Sequence, residues 1–133
     1  MAMASLLVIG RFRVPTGERE TFHLAAADAI EALSSQPGCR AASLGQSTDD
    51  PELLVIRTEW EGVGAYRRAL SSFDVKVRAI PLLSSAIDEP SAYELIHDWT
   101  VDGVTVADSG LAADAGAVGL GQAAGPAVAS VTP

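Results

Sequence analysis

Two runs along the chain are apolar at every position, Leu6-Leu7-Val8-Ile9 and Leu53-Leu54-Val55-Ile56. A strand without polar alternation is buried on both faces, so Ser5–Val14 and Leu53–Trp60 are expected at the centre of a sheet. Both turn mixed towards their ends, as Arg11-Phe12-Arg13-Val14 and Arg57-Thr58-Glu59-Trp60. After Glu61-Gly62 the spacing changes: Val63, Tyr66 and Leu70 fall on one helical stripe, predicting a helix over Gly62–Leu70. A second stripe, Phe22, Ala26, Ala29 and Leu33 with Ile30 at its margin, predicts a helix running to about Ser35. Its entry is the turn Pro15-Thr16-Gly17, with Thr16 or Gly17 as cap and Glu18 and Glu20 at the positive end of the helix dipole. Gln36-Pro37-Gly38 stops it.

The remaining segments are weaker. Cys39–Ser47 reads as an edge strand, joined to Leu53–Trp60 through the turn Thr48-Asp49-Asp50-Pro51. Ser71–Ser85 fits two patterns, a strand alternating over Asp74–Ala79 or a helix stripe of Phe73, Val77 and Ile80 that Pro81 would end or kink. Ser91–His97 is a last short strand. The order β-α-β-β-α-β with right-handed crossovers gives an α+β, ferredoxin-like split βαβ fold. Its four-stranded antiparallel sheet has the order 4-1-3-2 and helices on one face. This places the two most apolar strands in the middle and the two more polar ones at the edges.

Composition changes this picture at the C-terminal end. From Asp98 onward Gly, Ala, Val, Ser and Asp dominate, so the expected organisation is one domain over residues 1–97 and a Gly/Ala-rich, disordered tail over 98–133. A brief strand within Thr100–Ala107 is the one element expected there. The net charge of -8 argues against nucleic acid and anionic membrane surfaces as partners. Four of the 17 acidic residues lie beyond residue 97, where no Lys or Arg follows, so the first 97 residues carry 13 acidic against 9 basic groups. A single cysteine, Cys39, fits a reducing compartment. The N-terminal apolar run is too short for a signal peptide or a membrane span, and the expected location is cytoplasmic.

With helices on one face only, a sheet whose central strands are apolar on both faces leaves an uncovered apolar face. Such a surface marks an interface or a groove, and two copies meeting sheet to sheet would cover one another as a homodimer.

The pattern Ile9-Gly10-Arg11-Phe12-Arg13-Val14-Pro15-Thr16-Gly17, followed by Gln36-Pro37-Gly38-Cys39 and Thr58-Glu59-Trp60-Glu61, resembles the antibiotic biosynthesis monooxygenase family. The resemblance covers about residues 5–97. It implies a dimeric α+β barrel of ferredoxin-like protomers, and a helix over Phe73–Ile80. Trp60-Glu61 and Ala65-Tyr66-Arg67 are similar, at matching spacing, to a motif of the cofactor-independent enzymes that oxidise phenolic polyketides to quinones. That likeness implies a catalytic role for Tyr66, Trp60 and, allowing a short gap, Arg78. It also implies a small hydrophobic aromatic ligand held by Trp60, Tyr66, Ile56 and Phe73, with no cofactor and no metal. Ile56 stands where those enzymes carry an Asn. The haem-degrading branch of the family uses an Asn on the first strand and a His on the helix after the third, and neither is present here.

Each of these residues also has a plain structural reading. Trp60 is a core or interface aromatic at a strand end, and Tyr66 buries its ring with its hydroxyl at the rim. Arg78 is a solvated helix residue. Arg11, Arg13 and Arg57 either line a barrel mouth or pair with Glu59 or Glu94. His23 is half-buried structure, and two His with one Cys make no metal-ligand spacing. Two functions follow: a monooxygenase that uses O2 on a phenolic or polycyclic aromatic, or a non-catalytic homodimer of the same fold that binds a small molecule or serves structurally.

Overall fold

In a computed structural model, which describes residues 4–108, the chain runs β1 (Ser5–Arg13), a 3-10 turn (Thr16–Glu18), α1 (Arg19–Ser34), β2 (Cys39–Gln46), β3 (Leu53–Trp60), α2 (Val63–Ser71), α3 (Phe73–Arg78), α4 (Ile80–Leu83) and β4 (Ala92–Leu95). A hairpin of β5 (His97–Thr100) and β6 (Gly103–Val106) follows. The sheet order is β2-β3-β1-β4, all pairs antiparallel, as the hydrophobic pattern predicts.

Strand alternation divides the sheet cleanly. In the β1–β3 ladder Leu6 faces Trp60, Val8 faces Thr58 and Phe12 faces Leu54. These residues, with Ile56, are buried towards the helices. The other face holds Leu7, Ile9, Arg11 and Arg13 of β1 against Glu59, Arg57, Val55 and Leu53 of β3. This face is not uniformly apolar, as the two continuous runs suggest. In every one of those cross-strand pairs an apolar side chain sits opposite a charged one, so the open face is a mosaic.

The arginines on it find partners outside the central strands. Arg11 forms a two-pronged ion pair with Glu89, Nε to Oε2 and Nη2 to Oε1 both at 2.7 Å. Arg13 reaches Asp50 at 2.5 Å. Neither pairs with Glu59 or Glu94 as the sequence suggests, because the loop acids lie at the strand ends where the long side chains extend. Arg57 Nε is buried with no hydrogen-bond partner among the described residues.

Helix α1 buries Ala26, Ala29, Ala32 and Leu33, with Phe22 tilted against Phe12 at 5.1 Å between ring centroids. The small alanines bring its backbone close to the sheet. Its start differs from expectation: Glu18 occupies the cap position and makes no side-chain capping bond. Thr16 instead turns its hydroxyl and its N–H to Glu52, both at 3.2 Å. His23 is exposed rather than half-buried.

The ambiguous segment is helical, in two short pieces broken at Ala79 (φ -118°), with Pro81 in the first turn of the second. Ser72 caps the first by accepting from the Val75 N–H at 3.2 Å. Its inward stripe is Val75, Ala79 and Leu83, shifted from the expected Phe73, Val77 and Ile80. Past residue 97 the chain turns back through Val101-Asp102 into the β5–β6 hairpin, and β6 falls within the Thr100–Ala107 segment where a brief strand is expected. Of the expected tail, residues 109–133 lie outside the described residues.

Candidate functional site

The site starts from a turn. Gly38, at φ +89°, lies in the left-handed region that favours glycine, and a Cβ there would stand 2.6 Å from the Cβ of Ala65. Its carbonyl accepts the Glu61 N–H at 2.8 Å. The end of α1 is thus clamped to the junction between β3 and α2, and that junction carries Trp60 and Tyr66.

Trp60 is the last residue of β3 and fully buried, and Tyr66 lies one turn into α2 at 2% exposure. Their ring centroids are 5.4 Å apart with planes at 49°, a tilted pair of the kind the ring quadrupoles favour. Ile56 is buried on the same face of β3 two repeats back. The Trp60 indole N–H donates to the Thr58 hydroxyl at 2.8 Å, both groups buried. Thr58 is the one buried polar side chain among the described residues, and the motif reading passed over it. Alternation shows it: residues 56, 58 and 60 share one face, so a hydroxyl two positions before an inward indole is its nearest available acceptor.

Burial alone raises the Tyr66 phenol to about 12. At neutral pH it is therefore held protonated, a hydrogen-bond donor and not a base. Trp60 and Tyr66 lie with Ile56 and Leu6 in the buried core between sheet and helices, an indole and a phenol among apolar neighbours.

Two expected members are elsewhere. Arg78 sits on the outer surface of the helix layer, where its guanidinium engages three carboxylates. It binds Asp28 at 2.6 Å from Nη2, Asp74 at 3.1 Å from Nη1, and Glu31. Those carboxylates hold its pKa above the ordinary value. The arginine fastens α3 to α1 and does not meet the Trp60–Tyr66 pair. Phe73 is 82% exposed, because the inward stripe of α3 runs through Val75 instead. The structure thus brings together Trp60, Tyr66 and Ile56, adds Thr58, and leaves out Arg78 and Phe73. Among the described residues no group of three His, Cys, Asp or Glu side chains stands together to hold a metal ion.

Residues 5–77 match the family model described as antibiotic biosynthesis monooxygenase. No curated protein matches the sequence. Among solved structures, a conserved protein from Methanosarcina mazei is similar at 24% identity and a TM-score of 0.59, covering 69% of this chain and 93% of its own. A conserved protein of unknown function from Bacteroides thetaiotaomicron is similar at 15% identity and a TM-score of 0.60, covering 68% and 97%. A mutant of SnoaB, a cofactor-independent oxygenase from Streptomyces nogalater, is similar at 21% identity and a TM-score of 0.55, covering 81% and 97%. At these identities the likeness establishes the fold.

Proposed function

The chain belongs to the antibiotic biosynthesis monooxygenase family, and from that premise we propose that it oxidises a phenolic or polycyclic aromatic substrate with O2, without metal, flavin or haem. The observation that carries this reading is the buried Trp60–Tyr66 pair, an aromatic wall beside a phenol held protonated to about 12. A phenol that already carries its own proton at neutral pH does not take the substrate's. The acidity must be the substrate's own, and its phenolate, excluded from water, is the species that passes an electron to O2 on the way to a quinone. Tyr66 donates to an oxygen of that anion, and Trp60 and Ile56 hold the ring plane. SnoaB, a cofactor-independent oxygenase of the same fold, supports the reaction class.

One feature favours a second reading, a ligand-binding protein without chemistry. Ile56 offers no polar group to the interior, and the Trp60 N–H is already given to Thr58. An anaerobic titration with a naphthol or an anthrone separates site from fold. Binding should quench the Trp60 emission, and Tyr66→Phe, which keeps the ring and removes the donor, should weaken binding by about 1–3 kcal/mol. A titration in which the variant binds as well as the parent, or in which neither binds, would end the claim for Tyr66.

We further propose that the protein is a homodimer through the open sheet faces, acting in the cytoplasm. Leu7, Ile9, Leu53 and Val55 lie on that face with Tyr93 of β4, which is half exposed, an apolar surface that a second copy would cover. No helix among the described residues is long and apolar enough to cross a membrane.

A further inference from the structure

Trp60 and Tyr66 are closed off from solvent, at 0% and 2% exposure, so a ligand reaches them only if part of the cover moves. The helices of that cover are not held alike. Helix α1 buries Ala26, Ala29, Ala32 and Leu33 along its sixteen residues, and α2 carries Tyr66 itself. Helix α3 has six residues, packs on both α1 and α2, and buries Val75 alone, with Ala79 just beyond its end. Its two large apolar side chains, Phe73 and Val77, lie outside the layer, well exposed. The backbone is interrupted on either side of it. Ser72 is extended, at φ -72° and ψ 147°, and Ala79 leaves regular helical geometry at φ -118°. A short segment with little buried apolar area and a broken backbone at each end belongs to the part of a fold that opens first.

We propose that α3 is a lid over the interior that holds Trp60 and Tyr66, latched shut by the ion pairs of Arg78 with Asp28 and Glu31 of α1. The inference rests on the ligand site proposed above, and its test uses no ligand, so the two can fail separately. Arg78 donates from Nε and Nη2 to Asp28 Oδ1 at 2.9 and 2.6 Å, and from Nη2 to Glu31. Those acceptors belong to α1, so the pairs exist only while α3 lies against it. Asp74, which accepts from Nη1 at 3.1 Å, is on α3 itself and keeps the guanidinium aligned whether or not α3 is seated. The latch is half in water, with the Arg78 side chain 26% exposed and that of Asp28 53%. Such pairs are weak and screened by salt, which lets a lid exclude water when shut and release at small cost. The hinges fit the motion. Ser72 caps α3 by accepting the Val75 N–H at 3.2 Å, so the turn moves as a unit. Beyond α4 the chain is fastened again, where the Ile87 N–H donates to the Arg11 carbonyl of β1 at 2.8 Å.

Native-state hydrogen exchange of the full chain reads the latch directly. The Lys76 N–H, given to the Ser72 carbonyl at 3.0 Å, and the Ala79 N–H, given to that of Val75 at 2.9 Å, report on α3, while the amides of α1 and β3 report on the frame. Lys76 and Ala79 should exchange faster than the frame, and faster again as salt is raised. Asp28→Asn together with Glu31→Gln should speed them a further 3- to 20-fold or so, about the worth of two exposed ion pairs, and leave the frame unchanged. The chain's second tryptophan is the exposed Trp99, so Trp99→Phe leaves Trp60 as the emitter. Acrylamide quenching of Trp60 should then rise with the same double substitution. Lys76 and Ala79 exchanging at the rate of the frame, unmoved by salt or by the double substitution, would make α3 a fixed part of the core and overturn the lid. Faster exchange with Trp60 equally shielded would overturn it too, since α3 would open without exposing the interior. Should the double variant fail to fold, exchange and quenching of the chain with native Asp28 and Glu31 across the salt series decide.

Discussion

The Tyr66 hydroxyl is the smallest unit on which the functional reading turns, and it has a signature independent of any ligand. Burial moves its pKa from the ordinary 10.0 to about 12. Between those values the unfolded chain loses this proton while the folded chain keeps it, so stability falls as pH rises through that window. Two units correspond to a loss on the order of 2–3 kcal/mol by the time both forms are ionised. A series of denaturant melts from pH 9 upward should show this alkaline loss in the parent and a flatter limb in Tyr66→Phe. Equal limbs would mean that the phenol reaches water. Thr58 belongs at the same scale, since it gives the Trp60 N–H its acceptor and so fixes which edge of the indole faces the interior.

At the scale of elements, the clamp between the α1–β2 turn and the start of α2 positions the pair. Gly38→Ala introduces both a left-handed backbone strain and a Cβ 2.6 Å from Ala65. The expected cost is about 1–3 kcal/mol, read as a lower denaturation midpoint, with a displaced Trp60 emission because the strain falls on the β3–α2 junction. An unchanged midpoint would show that the turn adjusts freely. The strand order was legible from Leu6–Ile9 and Leu53–Ile56, because continuous apolar runs mark the central strands, although Leu7, Ile9, Leu53 and Val55 are only partly buried on the open face. The inward face of α3 was not legible. Phe73, Val77 and Ile80 share a helical stripe by spacing, yet the Ser72 cap and the break at Ala79 rotate the segment so that Val75 and Ala79 point inward. Periodicity fixes which residues share a face and is silent on which of two apolar faces wins. Arg78 escaped for a related reason: its partners Asp28 and Glu31 lie 50 and 47 residues away, and a motif match carries no record of a long-range ion pair. Trp60 and Tyr66 were legible because strand end and helix stripe each orient one of them.

For the whole molecule, the ion pairs at the rim of the open face tie the ends of the sheet to its loops. The Arg11 guanidinium holds Glu89 below its ordinary 4.5, and Arg13 holds Asp50 below 3.8. Carboxyls lowered in the folded state contribute stability that is present above their unfolded values and lost as pH falls through their folded ones. Acid unfolding should therefore steepen below about pH 4.5, and Glu89→Gln should soften that limb. The two ends of the pH scale thus report on different layers, the alkaline limb on the interior between sheet and helices and the acid limb on the open face. The interior is where the proposed oxygenation would take place, and one measurement addresses it most directly. In an oxygen electrode, the purified full chain with metal chelated and no flavin should consume O2 on addition of an anthrone or a dihydroxynaphthalene, yielding the quinone, and Tyr66→Phe should slow the reaction by about 10- to 100-fold. A protein that binds these compounds beside Trp60 and consumes no O2 above the uncatalysed rate would contradict the oxygenase and leave a binding protein, with Ile56 as the physical reason.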